Sequence, residues 1–104
     1  MHIVMNRFQV RLGRNPDFET SWRERQSYLS SVPGFLGFGL LKNETPGEDT
    51  LEYISHTTWE SLDAFEAWRR SEAFRGARGQ GSLEGVLIGP PQAAVYAVVL
   101  EEKP

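Results

Sequence analysis

Apolar and polar residues alternate along residues 3–12, which is the pattern of a strand with one buried face. The even positions of this stretch are apolar with a single exception, Asn6. The apolar members are Val4, Phe8, Val10 and Leu12. The pattern therefore predicts a first strand whose core-facing side carries one amide.

The apolar spacing then changes to that of a helix. Asn15 is expected to cap this helix, Pro16 to lie in its first turn, and the sequence Pro33-Gly34 to end it. The apolar residues at helical spacing are Phe18, Trp22, Leu29 and Val32. We expect this first helix to pack one face onto a sheet.

Two strands and a second helix follow. Phe35–Lys42 and residues 51–59 are rich in strand-forming residues, and the exposed acidic residues 43–50 separate them, so the two are expected to form a hairpin. Ser61 is placed to cap the second helix. The apolar stripe of that helix consists of Leu62, Phe65 and Trp68.

The last strand, residues 93–100, is apolar on both faces and so requires cover on two sides. The pattern assigns no form to the apolar residues 83–88 before it. The order βαββαβ predicts an α+β fold, a ferredoxin-like sandwich in one domain over residues 1–104, with both helices on one face of the sheet. The chain is too short to cover the other face, so we expect a second copy to do so in a homodimer.

Composition excludes several classes of function. The net charge is −3 and the sequence pI about 5.3, so no overall positive field exists to attract nucleic acid or an anionic membrane. The chain has no cysteine, which excludes disulfides and thiolate metal sites and suits a reducing cytoplasm. The longest apolar run, residues 93–100, is too short to span a bilayer. These features predict a cytoplasmic protein with neither a nucleic-acid partner nor a membrane partner.

The second helix runs into a glycine-rich stretch that carries positive charge. Arg69, Arg70, Arg75 and Arg78 concentrate cations beside the aromatic residue Trp68. Such a cluster can be an ordinary solvated surface. It can also pair with carboxylates, because the guanidinium group binds them in a bidentate fashion. The second interpretation predicts a pocket for a flat, anionic ligand.

Five motifs, in this order and spacing, resemble the antibiotic-biosynthesis-monooxygenase superfamily, and within it the small haem-degrading monooxygenases. They are Asn6-Arg7-Phe8, Pro33-Gly34-Phe35, Thr58-Trp59-Glu60-Ser61, Phe65-x-x-Trp68-x-x-Ser71-x-x-Phe74 and Gly89-Pro90-Pro91. The resemblance covers nearly the whole chain. It implies a dimeric α/β-barrel with one pocket per subunit, between the helices and the sheet.

The same resemblance implies two catalytic residues, Asn6 on the first strand and Trp68 on the second helix. The haem-degrading members have a histidine shortly after that helix, and here the position is Arg78. A guanidinium group has no lone pair to offer iron, so no metal ligand is expected there, and His56 is only a weak substitute. The candidate ligand-binding residues are Phe65, Phe74, Arg75 and Arg78.

Each catalytic candidate also has a structural interpretation. Asn6 could satisfy nearby backbone groups, and Trp68 could simply fill the core beside Phe65. Three functions stay open at this point. The chain could be a haem-degrading enzyme that takes electrons from an external reductase and has haem as substrate and cofactor. It could be a cofactor-independent monooxygenase of a small aromatic compound, or a dimeric ligand-binding module without catalysis.

Overall fold

A computed structural model of the chain describes residues 1–25, 29–71 and 85–104. Four strands form one antiparallel sheet in the order β2-β3-β1-β4, and two helices accompany it. The elements are β1 His2–Arg11, α1 Asn15–Glu24, a 3-10 helix Leu29–Ser31, β2 Phe35–Lys42, β3 Thr50–Trp59, α2 Leu62–Arg69 and β4 Gln92–Ala97. The order βαββαβ confirms the predicted α+β, ferredoxin-like architecture.

The first helix begins and ends earlier than the sequence predicted. The N-cap residue is Arg14 instead of Asn15, because the turn between Arg11 and Arg14 leads directly into the first helical bond, from Phe18 N to Arg14 O at 3.2 Å. The helix ends at Glu24, since Arg25 has an extended backbone with φ −65° and ψ 147°. The predicted single helix as far as Val32 is therefore wrong.

The start of α2 matches the prediction. The Ser61 hydroxyl accepts a hydrogen bond from Ala64 N at 3.1 Å, which confirms the expected N-cap. Nearby, Gly34 has φ +82°, and a Cβ at this position would lie 2.5 Å from the Ala64 Cβ. Gly34 O also accepts a hydrogen bond from Glu60 N at 2.8 Å. A glycine is required here because both its backbone conformation and its close approach to α2 exclude a side chain.

Among the residues that the structure describes, two apolar clusters form the core on the helix-facing side of the sheet. The first lies with α1 and contains Phe8, Val10, Phe18, Leu51, Tyr53 and Val86. The second lies with α2 and contains Val4, Trp59 and Phe65, with Leu29, Val32, Phe35, Ala64 and Trp68 packed against them. Val4, Asn6 and Phe8 are successive residues on the helix-facing side of β1, and Phe8 belongs to the first cluster whereas Val4 belongs to the second. Asn6 therefore lies between the two clusters.

The chain after residue 84 pairs with β1 in two places. Leu87 forms an isolated antiparallel β-bridge with Val10. Leu87 belongs to residues 83–88, to which the sequence pattern assigned no secondary structure. The strand β4 then pairs with the first half of β1 and ends at Ala97, earlier than predicted. Val99 and Leu100 beyond it are 93% and 78% exposed in the single chain.

The outer face of the sheet, on the side opposite to the helices, carries a group of apolar side chains. The register places Tyr96 of β4 beside Ile3 of β1, and Ile54 of β3 beside Leu41 of β2. Tyr96 and Leu41 are 52% and 49% exposed. No helix in the part of the chain that the structure describes is long and apolar enough to cross a membrane.

Candidate functional site

Asn6 and Ser55 form a polar pair on the helix-facing side of the sheet. They are register partners on β1 and β3, and Asn6 Nδ2 donates to Ser55 Oγ at 3.3 Å. Ser55 is only 5% exposed. The neighbours of the pair across the sheet are apolar, Leu40 on β2 and Ala93 on β4. The pair is thus a small polar strip in an apolar surface.

Trp68 lies on the same side of the sheet, on α2. Its ring centroid is 5.4 Å from that of Trp59 and 6.2 Å from that of Phe65. It packs against the cluster that contains Val4, the residue two positions before Asn6 on the same face of β1. The structure therefore brings both predicted catalytic residues, and Phe65, to one side of the sheet.

The two histidines of the chain lie on opposite faces of the sheet. His56 is the register partner of Met5 and Gly39 and lies on the outer face, away from Asn6 and Trp68. His2 is in the row of Val4 and Asn6, and its buried Nδ1 has no hydrogen-bond partner among the described residues. The described ranges also contain no cluster of three or more His, Cys, Asp or Glu residues that could hold a metal ion. Phe74, Arg75 and Arg78 lie outside the described residues.

The two arginines that the structure describes at the end of α2 are bonded locally. Arg69 forms an ion pair of 2.7 Å with Glu66, and the Nε of Arg70 donates to Glu66 O at 3.2 Å. Both arginines are exposed. In this part of the cationic stretch, the solvated interpretation therefore accounts for the side chains.

A cavity of about 400 Å³ opens between α1 and the β2–β3 hairpin, on the side of the sheet where the family resemblance implied a pocket, but none of its lining residues was a predicted site residue. Its lining residues are Glu19, Trp22, Arg23, Arg25, Phe38, Leu40, Lys42 and Tyr53. Asn6, Phe65 and Trp68 are not among them. A signal was present, since Trp22 and Arg25 are three residues apart and Phe38 shares a face of β2 with Leu40.

Two aromatic rings and a guanidinium group form one wall of this cavity. The rings of Trp22 and Phe38 are stacked at 19°, with centroids 5.6 Å apart. The Arg25 Cζ lies 4.7 Å from the Trp22 centroid and 4.4 Å from that of Phe38. Such contacts between a cation and an aromatic face are attractive. Burial also lowers the pKa of Arg25 below its usual value.

The lining of the cavity also contains a hydrogen-bonded carboxylate, Glu19. Glu19 accepts a short hydrogen bond from the Tyr53 hydroxyl and forms an ion pair of 3.2 Å with Arg23. Burial, and then the hydrogen bond to Glu19, raise the pKa of Tyr53 to about 12. Tyr53 therefore stays protonated at neutral pH and ties α1 to β3.

Comparison with known proteins identifies the family of this chain. Residues 1–80 match the family model for antibiotic biosynthesis monooxygenases. A mycobilin-producing haem oxygenase of Mycobacterium tuberculosis is 34% identical over 77 residues, which are 74% of this chain and 70% of the relative. The structure of the haem degrader MhuD from M. tuberculosis, with two haems bound in its active site, superposes with a TM-score of 0.76 at 30% identity.

The MhuD superposition covers 99% of this chain and 100% of MhuD. The cofactor-independent oxygenase SnoaB from Streptomyces nogalater shares the fold, with a TM-score of 0.66 at 20% identity over 96% of this chain and 94% of SnoaB. The family match covers more than half of the chain, and the fold agrees with it. The chain belongs to the antibiotic biosynthesis monooxygenase family.

Proposed function

We propose that this protein is a monooxygenase of the haem-degrading type, with haem as its substrate on the helix-facing side of the sheet. One observation carries the proposal. Asn6 and Trp68, which sit on different elements, lie on one side of the sheet in a chain that is 34% identical to a mycobilin-producing haem oxygenase.

The residues fit the ring of a tetrapyrrole better than its iron. Trp68 is only partly buried and packs on the buried Trp59 and Phe65, so its indole can offer an aromatic face to a flat ring. At position 78 the chain has a guanidinium group instead of an imidazole, and that group cannot ligate iron. We therefore assign no step at the metal, and Arg78 is proposed, with Arg75, to pair with the carboxylates of the ligand.

Asn6 has a specific part in this proposal. A primary amide has two N–H donors, and the hydrogen bond to Ser55 uses one of them. The other donor is then available to an oxygen atom of the substrate or to bound oxygen. The buried Ser55 hydroxyl fixes the orientation of the amide, which lowers the entropic cost of that contact.

The proposal includes the assembly and the source of electrons. A second copy would cover Tyr96, Leu41 and Ile54 on the outer face and complete a dimeric α/β-barrel. Haem, when bound, supplies the iron chemistry that activates oxygen, and an external reductase would supply the electrons. A cytoplasmic location, suggested by the cysteine-free composition, fits such a donor.

A second candidate is cofactor-independent oxygenation of a small aromatic compound. The observation that favours it is Arg78, because this chemistry needs no iron ligand and gains from a cation that holds a substrate anion. A ligand-binding module without catalysis is the third possibility, and it predicts binding without oxygen consumption.

Single-turnover reaction of the haem-loaded protein with ascorbate tests the proposal. We expect loss of haem absorbance that depends on oxygen, slowed about tenfold or more in Asn6→Ala. The matched control is Asn43→Ala, which removes an exposed amide from the β2–β3 connection and should leave the rate unchanged. Equal rates in wild type and Asn6→Ala would contradict the assigned role. Oxygen consumption with an aromatic substrate, and none with haem, would favour the second candidate.

A further inference from the structure

His56 lies in the middle of the apolar group on the outer face of the sheet. Its register partners are Gly39 on β2 and Met5 on β1, so these three residues share one row across the sheet. The next row on one side contains Tyr96, and the next row on the other side contains Ile54. A second copy that covers Tyr96 and Ile54 therefore also covers His56.

The neighbours of His56 on this face provide no negative charge. In its own row and the two adjacent rows of the described strands, the ionisable side chains besides His56 are Tyr96 and the positively charged Arg7. The first carboxylate along the face belongs to Glu52, two rows from His56, and it already bonds Arg7 at 3.3 Å and Gln9 at 3.5 Å. Within the described ranges, no ion pair involves His56.

The charge of the imidazole decides whether this face can be covered. A twofold-related copy presents the same face, and therefore the same groups, to His56. The acidic residues Glu101 and Glu102 lie beyond the end of β4, outside these rows. A neutral ring suits such an apolar interface, whereas an imidazolium would be buried near Arg7 without a counter-charge. Because burying an unpaired charge is costly, protonation favours the separated chains, in which water solvates the ring.

We infer that His56 is a pH-sensitive switch of assembly, and that its protonation dissociates the homodimer. The inference rests on the dimer proposed above and adds a condition under which it opens. Histidine is the side chain whose charge ordinarily changes between about pH 5 and 8, so the switch operates near neutral pH. The other imidazole of the chain, that of His2, faces the helices and takes no part in the interface.

Sedimentation equilibrium at micromolar concentration, at about pH 8 and about pH 6, tests the inference. Both values lie above the sequence pI of about 5.3, so the chain keeps its negative net charge. We expect the dissociation constant of the wild-type dimer to rise about tenfold or more at the lower pH, because each dimer contains two such imidazoles. His56→Gln should stay dimeric at both pH values, since an amide takes up no proton. His56→Lys should be mainly monomeric at both, because its charge is present throughout.

His2→Gln is the matched control, because it removes the other imidazole from the helix-facing side of the sheet. Its dimer should weaken in acid as the wild-type dimer does. Circular dichroism at both pH values establishes that each variant is folded. A wild type that is monomeric at about pH 8 would overturn the dimer, and the switch with it. A wild-type dimer whose affinity does not fall at the lower pH, or an equal fall in His56→Gln, would overturn the switch alone and leave the dimer standing.

Discussion

Asn6 on β1 and Ser55 on β3 face each other on the helix-facing side of the sheet, and Asn6 Nδ2 donates to Ser55 Oγ at 3.3 Å. The pair lies between the cluster under α1 and the cluster under α2. Buried polar groups are costly unless they are bonded, so the pair has a structural reason to exist. It also holds one amide in a fixed orientation on the side that carries Trp68.

Two substitutions separate these roles of the pair. Ser55→Ala and Asn6→Ala both remove the hydrogen bond, and each should lower the free energy of unfolding by about 1 kcal/mol. Only Asn6→Ala removes the amide. We therefore expect haem turnover to fall about tenfold or more in Asn6→Ala and by less than about threefold in Ser55→Ala. Chemical denaturation and single-turnover rates measure the two effects, and equal loss of turnover in both variants would contradict the functional role.

A second prediction concerns the buried phenol of Tyr53. Its pKa is raised to about 12 in the folded protein, whereas the unfolded chain has an ordinary value of about 10. The unfolded state therefore loses this proton first, and the contribution of Tyr53 to stability is complete below about pH 10 and is lost as the pH rises towards 12. Denaturation at several alkaline pH values should show this decline, and Tyr53→Phe should reduce it. If the stability of Tyr53→Phe declines in the same way, groups other than Tyr53 cause the decline.

Gly34 gives a third prediction, about the contact between the start of β2 and α2. Gly34→Ala introduces a Cβ 2.5 Å from that of Ala64 at a φ of +82°, and we expect a loss of more than about 2 kcal/mol in unfolding free energy. Gly13→Ala is the control for backbone conformation, since it has a φ of +91° but no neighbour within 4 Å. It should cost only about 1 kcal/mol. Similar melting temperatures for the two variants would show that the close approach to Ala64 is unimportant.

The outer face of the sheet provides a fourth prediction. Because Tyr96 and Ile54 lie on that face, Tyr96→Lys or Ile54→Lys should convert a homodimer to monomer by burying a charge in its interface. Val95 pairs with Val4 on the helix-facing side, so Val95→Lys should affect assembly less. Sedimentation velocity at micromolar concentration measures the change. A wild-type protein that is monomeric at that concentration would refute the dimer.

Much of the fold was predictable from the sequence because local signals agreed with tertiary packing. The bounds of β2 were correct, and Ser61 caps α2 as expected. The first helix was wrong because Leu29 and Val32 continue its apolar spacing but pack in the cluster of α2, not in that of α1. The chain has to change direction between the two clusters, and the spacing of apolar residues cannot show this.

The candidate site was predictable only in part, for a related reason. Asn6 was visible as one polar residue in an apolar row, whereas its partner Ser55 depends on the register between β1 and β3. The contact of Arg25 with Trp22 and Phe38 depends on where α1 ends and on the position of β2. Neither the contact of Asn6 with Ser55 nor that of Arg25 with the two rings is encoded in the spacing of residues along one element.

Haem titration followed by visible absorption tests the central claim, that the helix-facing side of this sheet binds haem although the expected histidine is Arg78. We predict a saturable Soret shift that fits a single-site binding isotherm. The affinity for haem should be weak in the wild type and at least about tenfold higher in Arg78→His, because an imidazole supplies the missing lone pair. Trp68→Phe should weaken binding in both backgrounds. No Soret shift in the wild type or in Arg78→His would contradict the claim, as would tight binding by the wild type that Arg78→His and Trp68→Phe leave unchanged.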